Sequence, residues 1–335
     1  MATTWFEDLM GFRELPYEDT RRNLEVVGKT LRSRINNRSY AVGELEIPSL
    51  KELRNEAAKA VDGLAGTLKV SNVVGDVRRM HSDPANTHAM FQVASQFNLL
   101  EMAGPHVTPE DGVTRYIHDR TQGPACAIAA GAATVYRNYL VPVDGDLGQT
   151  RDRQIDCLRE LGKALGNDEE KLWTMTNGYA LCTEMGLARI DRRLMAIDAS
   201  KVDELRDLLR VGVHSGVQVT DTRPADLVVS QTFCSALPVA YSSITAERWK
   251  SFAVLVLEGA YEATLWAAVI NAHRHSSKVV FLTRVCGGAF GNAPEWIHGA
   301  MRRALHKVRG VGLDVRLLSY ERPDPELERL AREFT

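Results

Sequence analysis

The chain has 335 residues, of which 44% are hydrophobic and 25% charged, the make-up of an ordinary globular protein long enough to bury a substantial core. Its 41 basic and 43 acidic residues leave a formal net charge of -2, which argues against a general nucleic-acid or membrane-surface binder. The 5 cysteines, Cys126, Cys157, Cys182, Cys234 and Cys286, are widely spaced and form no CxxC pair, so neither a disulfide framework nor a zinc knuckle is expected.

The first stretch, MATTWFEDLMGFRELPYEDT, is too acidic and mixed for a signal peptide. No apolar run reaches the ~18 residues that a membrane helix needs, so a cytoplasmic chain with no membrane or nucleic-acid partner is expected. Residues 1–65 read as an N-terminal accessory segment. It should hold a helical stretch from Glu18 to Arg34, a strand-like one from Tyr40 to Ile47, and a helix capped by Ser49 with Leu50, Leu53, Ala57, Ala60 and Val61 on one face.

From Leu68 onward the pattern becomes alternating strands and helices. Strands are expected from Leu68 to Val74, Met90 to Ser95, Thr174 to Cys182, Val213 to Val219, Leu227 to Thr232, Val279 to Thr283 and Val315 to Leu318. Helices are expected from Pro124 to Tyr139, Arg151 to Leu165, Leu187 to Ile197, Val202 to Leu209, Ala246 to His273 and Pro294 to Lys307. Strands separated by helices predict an α/β fold with a mostly parallel or mixed central sheet covered on both faces. In such sheets ligands sit beyond the carboxyl ends of the strands.

Two segments could build such a site. In the first, strand Met90 to Ser95 ends in Gln96-Phe97-Asn98, and a loop with Glu101, Asp111 and Asp119 follows. Thr121, Gln122 and Gly123 then lead into Pro124, a helix start offering free N–H groups, and the helix opens on small residues from Ala125 to Ala133. Tight packing against the sheet is the alternative reading of that alanine-rich start. In the second segment, KVVFLTRVCGGAFGNAPEWIHGAM, a β-branched strand passes through Gly287, Gly288 and Gly291 into a helix opened by Pro294. Either helix start could point its positive end at an anion, and Phe290 could give the loop an apolar face for a ribose or base. An ordinary strand-to-helix turn remains the alternative for a single Gly-rich loop. Two helix starts converging on one diphosphate would distinguish a site from a turn.

The order of strand, Asn-bearing loop, small-residue helix, long insertion, apolar strand and GGAFGN before a final helix resembles a macrodomain, the ADP-ribose-binding fold. VCGGAFGNAPEW is similar to the poly(ADP-ribose) glycohydrolase side of that family, and GVTRYIHDRTQGPACA to the divergent MavL-like branch of ADP-ribosylhydrolases acting on arginine-linked ADP-ribose. The resemblance covers about Leu68 to Leu318. It implies a macrodomain-like three-layer α/β/α domain over residues 66–320 with a mixed central sheet, a helical insertion at about 141–211 and a C-terminal tail at 321–335. It further implies that Gly287, Gly288, Ala289, Phe290, Gly291 and Asn292 form the diphosphate loop, that Asn98 contacts the distal ribose and that Asp76 of Gly75-Asp76-Val77 holds the adenine amino group. Gln96, Thr121, Gln122 and Gly123 complete the expected ligand-binding set.

The chain also departs from the family. It has Ala94-Ser95-Gln96-Phe97-Asn98 in place of Asn-Ala-Ala-Asn, and it lacks the Gly-Gly-Gly followed by Gln-Glu-Glu of the poly(ADP-ribose) enzymes, which argues against degradation of that polymer. Cleaving the ribose C1″ bond passes through an oxocarbenium-like state, so carboxylates that steer water and an acid for the leaving group are the useful chemistry. Asp119 and Asp111, which resemble the paired aspartates of the MavL-like branch, are the expected catalytic residues, with Glu101 as a third. Asp111 could instead be a turn residue before Gly112, and Asp119 a helix cap. Cys126, near a helix start, is an alternative nucleophile with no base beside it. His273 and His275 lack a third ligand, so no metal and no cofactor are expected. The resemblance implies ADP-ribose or an ADP-ribosylated protein, ubiquitin among the candidates, as partner. A non-catalytic ADP-ribose reader is the competing expectation.

Overall fold

The computed structural model describes residues 3–221, 226–285 and 287–334. Its centre is a mixed sheet of 7 strands: β1 (Glu44–Glu46), β2 (Lys69–Val74), β3 (Met90–Ala94), β4 (Gly212–Gln218), β5 (Val228–Cys234), β6 (Val279–Leu282) and β7 (Asp314–Ser319). Their spatial order is β1-β4-β5-β3-β6-β7-β2. β5, β3, β6, β7 and β2 run parallel, while β4 and then β1 add on as antiparallel neighbours. β3 is the switch strand: after it the chain builds β4 and β5 on one side, then returns on the other as β6. A crevice therefore opens beyond its carboxyl end.

The helices layered on this sheet are α1 (Leu50–Ala58), α2 (Val77–His81), α3 (Gln122–Ala129), α4 (Gly131–Tyr139), α5 (Ala246–His275), α6 (Pro294–Lys307) and α7 (Pro325–Arg332). Every residue from Met90 to Val93 is buried, as a central parallel strand requires. Phe91 faces the α2 and α3 side, stacked between the rings of His81, 3.8 Å away, and Phe281, 4.5 Å away. Gln92 faces the other way, donating to Thr264 of α5 and accepting from the Thr283 amide, so its buried amide is paired on both atoms. By length and composition α5 could cross a membrane, against the expectation that no such run exists. In this fold 83% of its most apolar window is buried, and it serves as the core helix.

Several expected elements are corrected. The helix from Glu18 to Arg34 ends at Arg22; Leu24–Val27 and Thr30–Ser33 form a hairpin turning through Gly28 at φ +61°. The strand from Tyr40 to Ile47 is cut at Gly43, also at positive φ, where a Cβ would lie 1.9 Å from the Ser215 carbonyl. Only glycine allows β1 to approach β4 there. Thr174 to Cys182 is a separate hairpin, Trp173–Thr176 with Tyr179–Cys182, because Asn177-Gly178 takes positive φ at both positions, the preferred two-residue turn. The expected helix from Pro124 to Tyr139 breaks at Ala130, and that from Arg151 to Leu165 shortens to Arg159–Leu165.

Residues 1–65 do not stand apart. They supply edge strand β1 and helix α1, the latter fixed by a Ser49/Glu52 capping box. Phe6, Met10, Tyr17 and Leu31 also form a second apolar cluster with Val113, Tyr116, Ile128 and Tyr139. On the opposite side of the domain, helix Ala199–Arg206 of the insertion is bolted to the core through Glu262 of α5. That buried carboxylate takes Arg54 at 2.7 Å and Arg303, and both arginines also reach Asp203. The arginines hold the Asp203 carboxyl at about 2 and the Glu262 carboxyl below the usual range, in each case against burial.

Candidate functional site

A cleft of about 760 Å³ lies at the carboxyl ends of β2, β3, β6 and β7, within the usual range for a small-molecule site. Asp76, Gln96, Glu101, Asp119, Thr121, Gln122, Gly123, Gly287, Gly288, Ala289, Phe290 and Asn292 all line it. The two segments singled out in the sequence thus meet across one space, with the starts of α3 and α6 on the same cleft.

Local chemistry explains how each wall is held. Gln122, the first residue of α3, hooks the helix start to β3: its Oε1 accepts from the Ala94 amide at 2.8 Å and its Nε2 donates to the Gln92 carbonyl at 2.9 Å. Gly123 must be glycine, because a Cβ would meet the Ala94 carbonyl at 2.2 Å and the Glu101 Oε2 at 2.3 Å. α6 begins with Pro294 after Ala293, which offers no side-chain cap; the Ala293 carbonyl accepts from the Trp296 and Ile297 amides, and Pro294 lines the cleft. Within that loop Gly288 has open space where a Cβ would stand, whereas Gly287 abuts Ile297 at 2.9 Å. Asn292 donates to the Leu237 carbonyl at 2.8 Å, and Phe290 is buried against Tyr179 and Tyr241. Asp76 caps α2, accepting from the Arg78 amide at 2.8 Å.

Besides Asp76, Glu101 and Asp119 are the acids that line this cleft among the described residues. Glu101 is 8% exposed, and burial pushes its carboxyl well above the usual carboxylate range, with the Asp119 charge adding to that and buried Arg137 opposing it. Asp119 Oδ1 accepts from the Thr121 amide at 2.8 Å, and its other oxygen makes no hydrogen bond among the described residues. Asp119 does cap the turn into α3, as the alternative reading held, yet it also lines the cleft. Arg137 is fully inside the core, with its own pKa lowered to about 10 by burial, and its guanidinium lies 3.9 Å over the Phe233 ring. Buried polar atoms without a protein partner among the described residues include Glu101 Oε1, Thr283 Oγ1 and Asn292 Oδ1, all on cleft-lining residues. Such atoms call for an explanation in a native protein, and a polar ligand is one.

Three expected site residues lie elsewhere. Asp111 is exposed and does not line the cleft; its Oδ2 accepts from the Thr108 amide at 2.9 Å and from the Thr108 hydroxyl at 3.2 Å, closing a capping box. The acid opposite Asp119 is therefore Glu101, not Asp111. Asn98 is wholly buried as a brace, donating to Gln154 at 2.8 Å and accepting from the Leu100 amide at 3.1 Å. Gly291, at φ +72°, lets the loop pass Ala240, which a Cβ would meet at 2.9 Å. Burial pushes the Cys126 thiol well up, against a nucleophilic thiolate. Cys286 lies outside the described residues.

The cleft also holds residues that the sequence did not single out. Tyr179 comes from the hairpin inside the insertion, so the insertion reaches the site wall. Tyr241, Tyr320, Arg78, Arg284 and Ile117 also line the cleft. Arg78 is tied to Asp221 through two hydrogen bonds and Arg284 to Asp324 at 2.8 Å. Nothing in local periodicity marks these positions, because each reaches the cleft from an element chosen by the topology.

No family model matches the chain, and no curated protein matches it. Among solved structures, a point variant of poly(ADP-ribose) glycohydrolase from Deinococcus radiodurans in complex with ADP-ribose is similar over 87% of this chain and 94% of that one, at 9% identity and a TM-score of 0.43. The poly(ADP-ribose) glycohydrolase from Thermomonospora curvata is similar over 94% and 93%, at 13% identity and a TM-score of 0.41. The same enzyme bound to the inhibitor ADP-HPD matches over 95% and 96%, at 13% identity and 0.39.

Proposed function

We propose that the protein is an ADP-ribosylhydrolase that removes mono-ADP-ribose from modified protein side chains, with arginine the favoured linkage. The observation that carries this reading is the meeting of two helix starts and a Gly-rich loop on a cleft that also holds Glu101 and Asp119. The helix starts and the loop amides suit a diphosphate, and the acids suit a glycosidic bond beside it. The favoured linkage follows the resemblance of the loop around Asp119 to the MavL-like branch.

In this mechanism Asp119 takes a proton from water as its oxygen attacks C1″ of the distal ribose. The C1″–N bond breaks with both its electrons going to the guanidine nitrogen, which takes its proton from Glu101. Burial keeps that carboxyl protonated above the usual range, as a general acid requires. Asp76, which also lines the cleft, suits the adenine amino group.

Proteins carrying ADP-ribose on arginine, serine or carboxylate side chains provide the test. Wild type is expected to release free ADP-ribose from the arginine conjugate fastest, at least tenfold above the other two. Release from serine or carboxylate alone would overturn the linkage, and binding of ADP-ribose with no release from any conjugate would make the protein a reader.

A further inference from the structure

We propose that Glu14, in the N-terminal segment, is a positioning residue that sets both acids of the cleft through one short helix, Thr114–His118; the proposal rests on the hydrolase reading above. The carboxylate of Glu14 accepts from the Val113 amide through Oε1 and from the Thr114 amide through Oε2, each at 2.8 Å, and from the Tyr139 hydroxyl at 2.7 Å. These two amides open the 3-10 helix Thr114–His118, so the carboxylate acts as its anionic cap. Gly112 makes room for it: a Cβ there would lie 2.5 Å from Glu14 Oε2, and the backbone takes φ +79°. Trp5 adds a second tie, its ring N–H donating to the Thr114 carbonyl at 3.1 Å.

What the short helix carries gives this clamp its consequence. Its buried Tyr116 hydroxyl accepts from the Glu101 amide at 3.0 Å, fixing the backbone from which that acid projects. Its last residue is followed directly by Asp119, whose amide donates to the Tyr116 carbonyl at 3.1 Å and whose side chain then holds the Thr121 amide at the start of α3. One carboxylate, supplied from 99 residues earlier in the chain, thus fixes the helix whose Tyr116 places Glu101 and whose end places Asp119. Removing it leaves the cleft walls that face the diphosphate in place, since these belong to α3, α6 and the loop from Gly287 to Asn292. A small displacement of positioned groups costs on the order of 100-fold in rate, so the effect should fall on turnover and spare binding.

The test compares wild type, Glu14→Ala and Glu14→Gln by steady-state kinetics, ADP-ribose titration and amide hydrogen exchange. Glu14→Ala is expected to lower kcat about 10- to 100-fold with KM and ADP-ribose affinity within about threefold, and to speed exchange at the Val113, Thr114 and Thr121 amides. Glu14→Gln, which keeps one acceptor oxygen but sets an NH2 against the second amide, should fall between wild type and Glu14→Ala. In an Asp119→Ala background, Glu14→Ala should cost little more, because residues acting as one unit do not add. Unchanged kcat in a folded Glu14→Ala protein would overturn the proposal, as would equal loss of kcat and affinity. If wild type releases no ADP-ribose, the hydrolase reading fails on its own; the clamp is then judged by exchange alone, and an unaltered Thr121 amide in Glu14→Ala would refute it.

Discussion

Replacing Asp119 with alanine is expected to lower the hydrolysis rate by roughly two to four orders of magnitude, the scale of a positioned acid or base, while ADP-ribose binds within a few-fold of wild type. The separation follows from where the groups sit. Asp119 borders the cleft at the entry to α3, and the diphosphate would be held by the amides of α3, α6 and the Gly-rich loop. The side chain also accepts from the Thr121 amide, so Asp119→Asn, which preserves an acceptor there, is the control for a mere cap. If Asp119→Asn turns over near the wild-type rate, Asp119 is only a cap. Loss of fold and binding together in Asp119→Ala would make it structural. Asp111→Ala, by contrast, removes a capping box outside the cleft and should leave turnover almost unchanged.

Glu101→Gln should abolish most of the activity and at the same time leave the protein as stable as wild type or more so near neutral pH. Burial raises the Glu101 carboxyl in the folded protein, so the folded state binds this proton more tightly than the unfolded chain does. Its contribution to stability is therefore fully present below the unfolded value of about 4.3 and is lost as pH rises through the folded value. Glutamine, which never ionises, removes that loss. In the proposed mechanism the same proton is the one delivered to the leaving group, so wild-type kcat should fall on the alkaline side as Glu101 deprotonates, and the residual rate of Glu101→Gln should lack that limb. Thermal melts and pH-rate profiles on the two proteins check both halves. A Glu101→Gln protein that keeps wild-type turnover would remove Glu101 from the chemistry.

The sequence was most readable where backbone chemistry is local. Short apolar runs marked β2, β3, β6 and β7, and Pro294 marked the start of α6 to the residue because its fixed φ and missing N–H suit the first helical position. The Gly-rich loop and the Thr121-Gln122-Gly123 entry were both visible as turns, and the topology put them on one cleft. Asn177-Gly178 is a hairpin signal within the stretch Thr174 to Cys182, which the alternation alone predicts as one strand. Thr108 and Asp111 have the spacing of a capping box, a local cue for the structural role that Asp111 takes. Other features depend on partners far along the chain. Asn98 is a brace because Gln154, 56 positions later, meets it, and Glu14 and Tyr179 matter because the fold folds distant segments onto the acid loop and the cleft. Pattern within a window of residues carries no information about such pairings.

Titration of ADP-ribose into wild type and Gly288→Glu, followed by calorimetry, is the most direct test of the proposal that the cleft binds a diphosphate. Apart from its chain neighbours, no described residue comes within 4 Å of where a Gly288 Cβ would stand, so the variant should fold as wild type does, while the new carboxylate brings bulk and negative charge to the proposed anion cradle. Wild type should bind in the micromolar range and Gly288→Glu should show no measurable heat. Equal affinity in the two folded proteins, or no binding by either, would contradict the account.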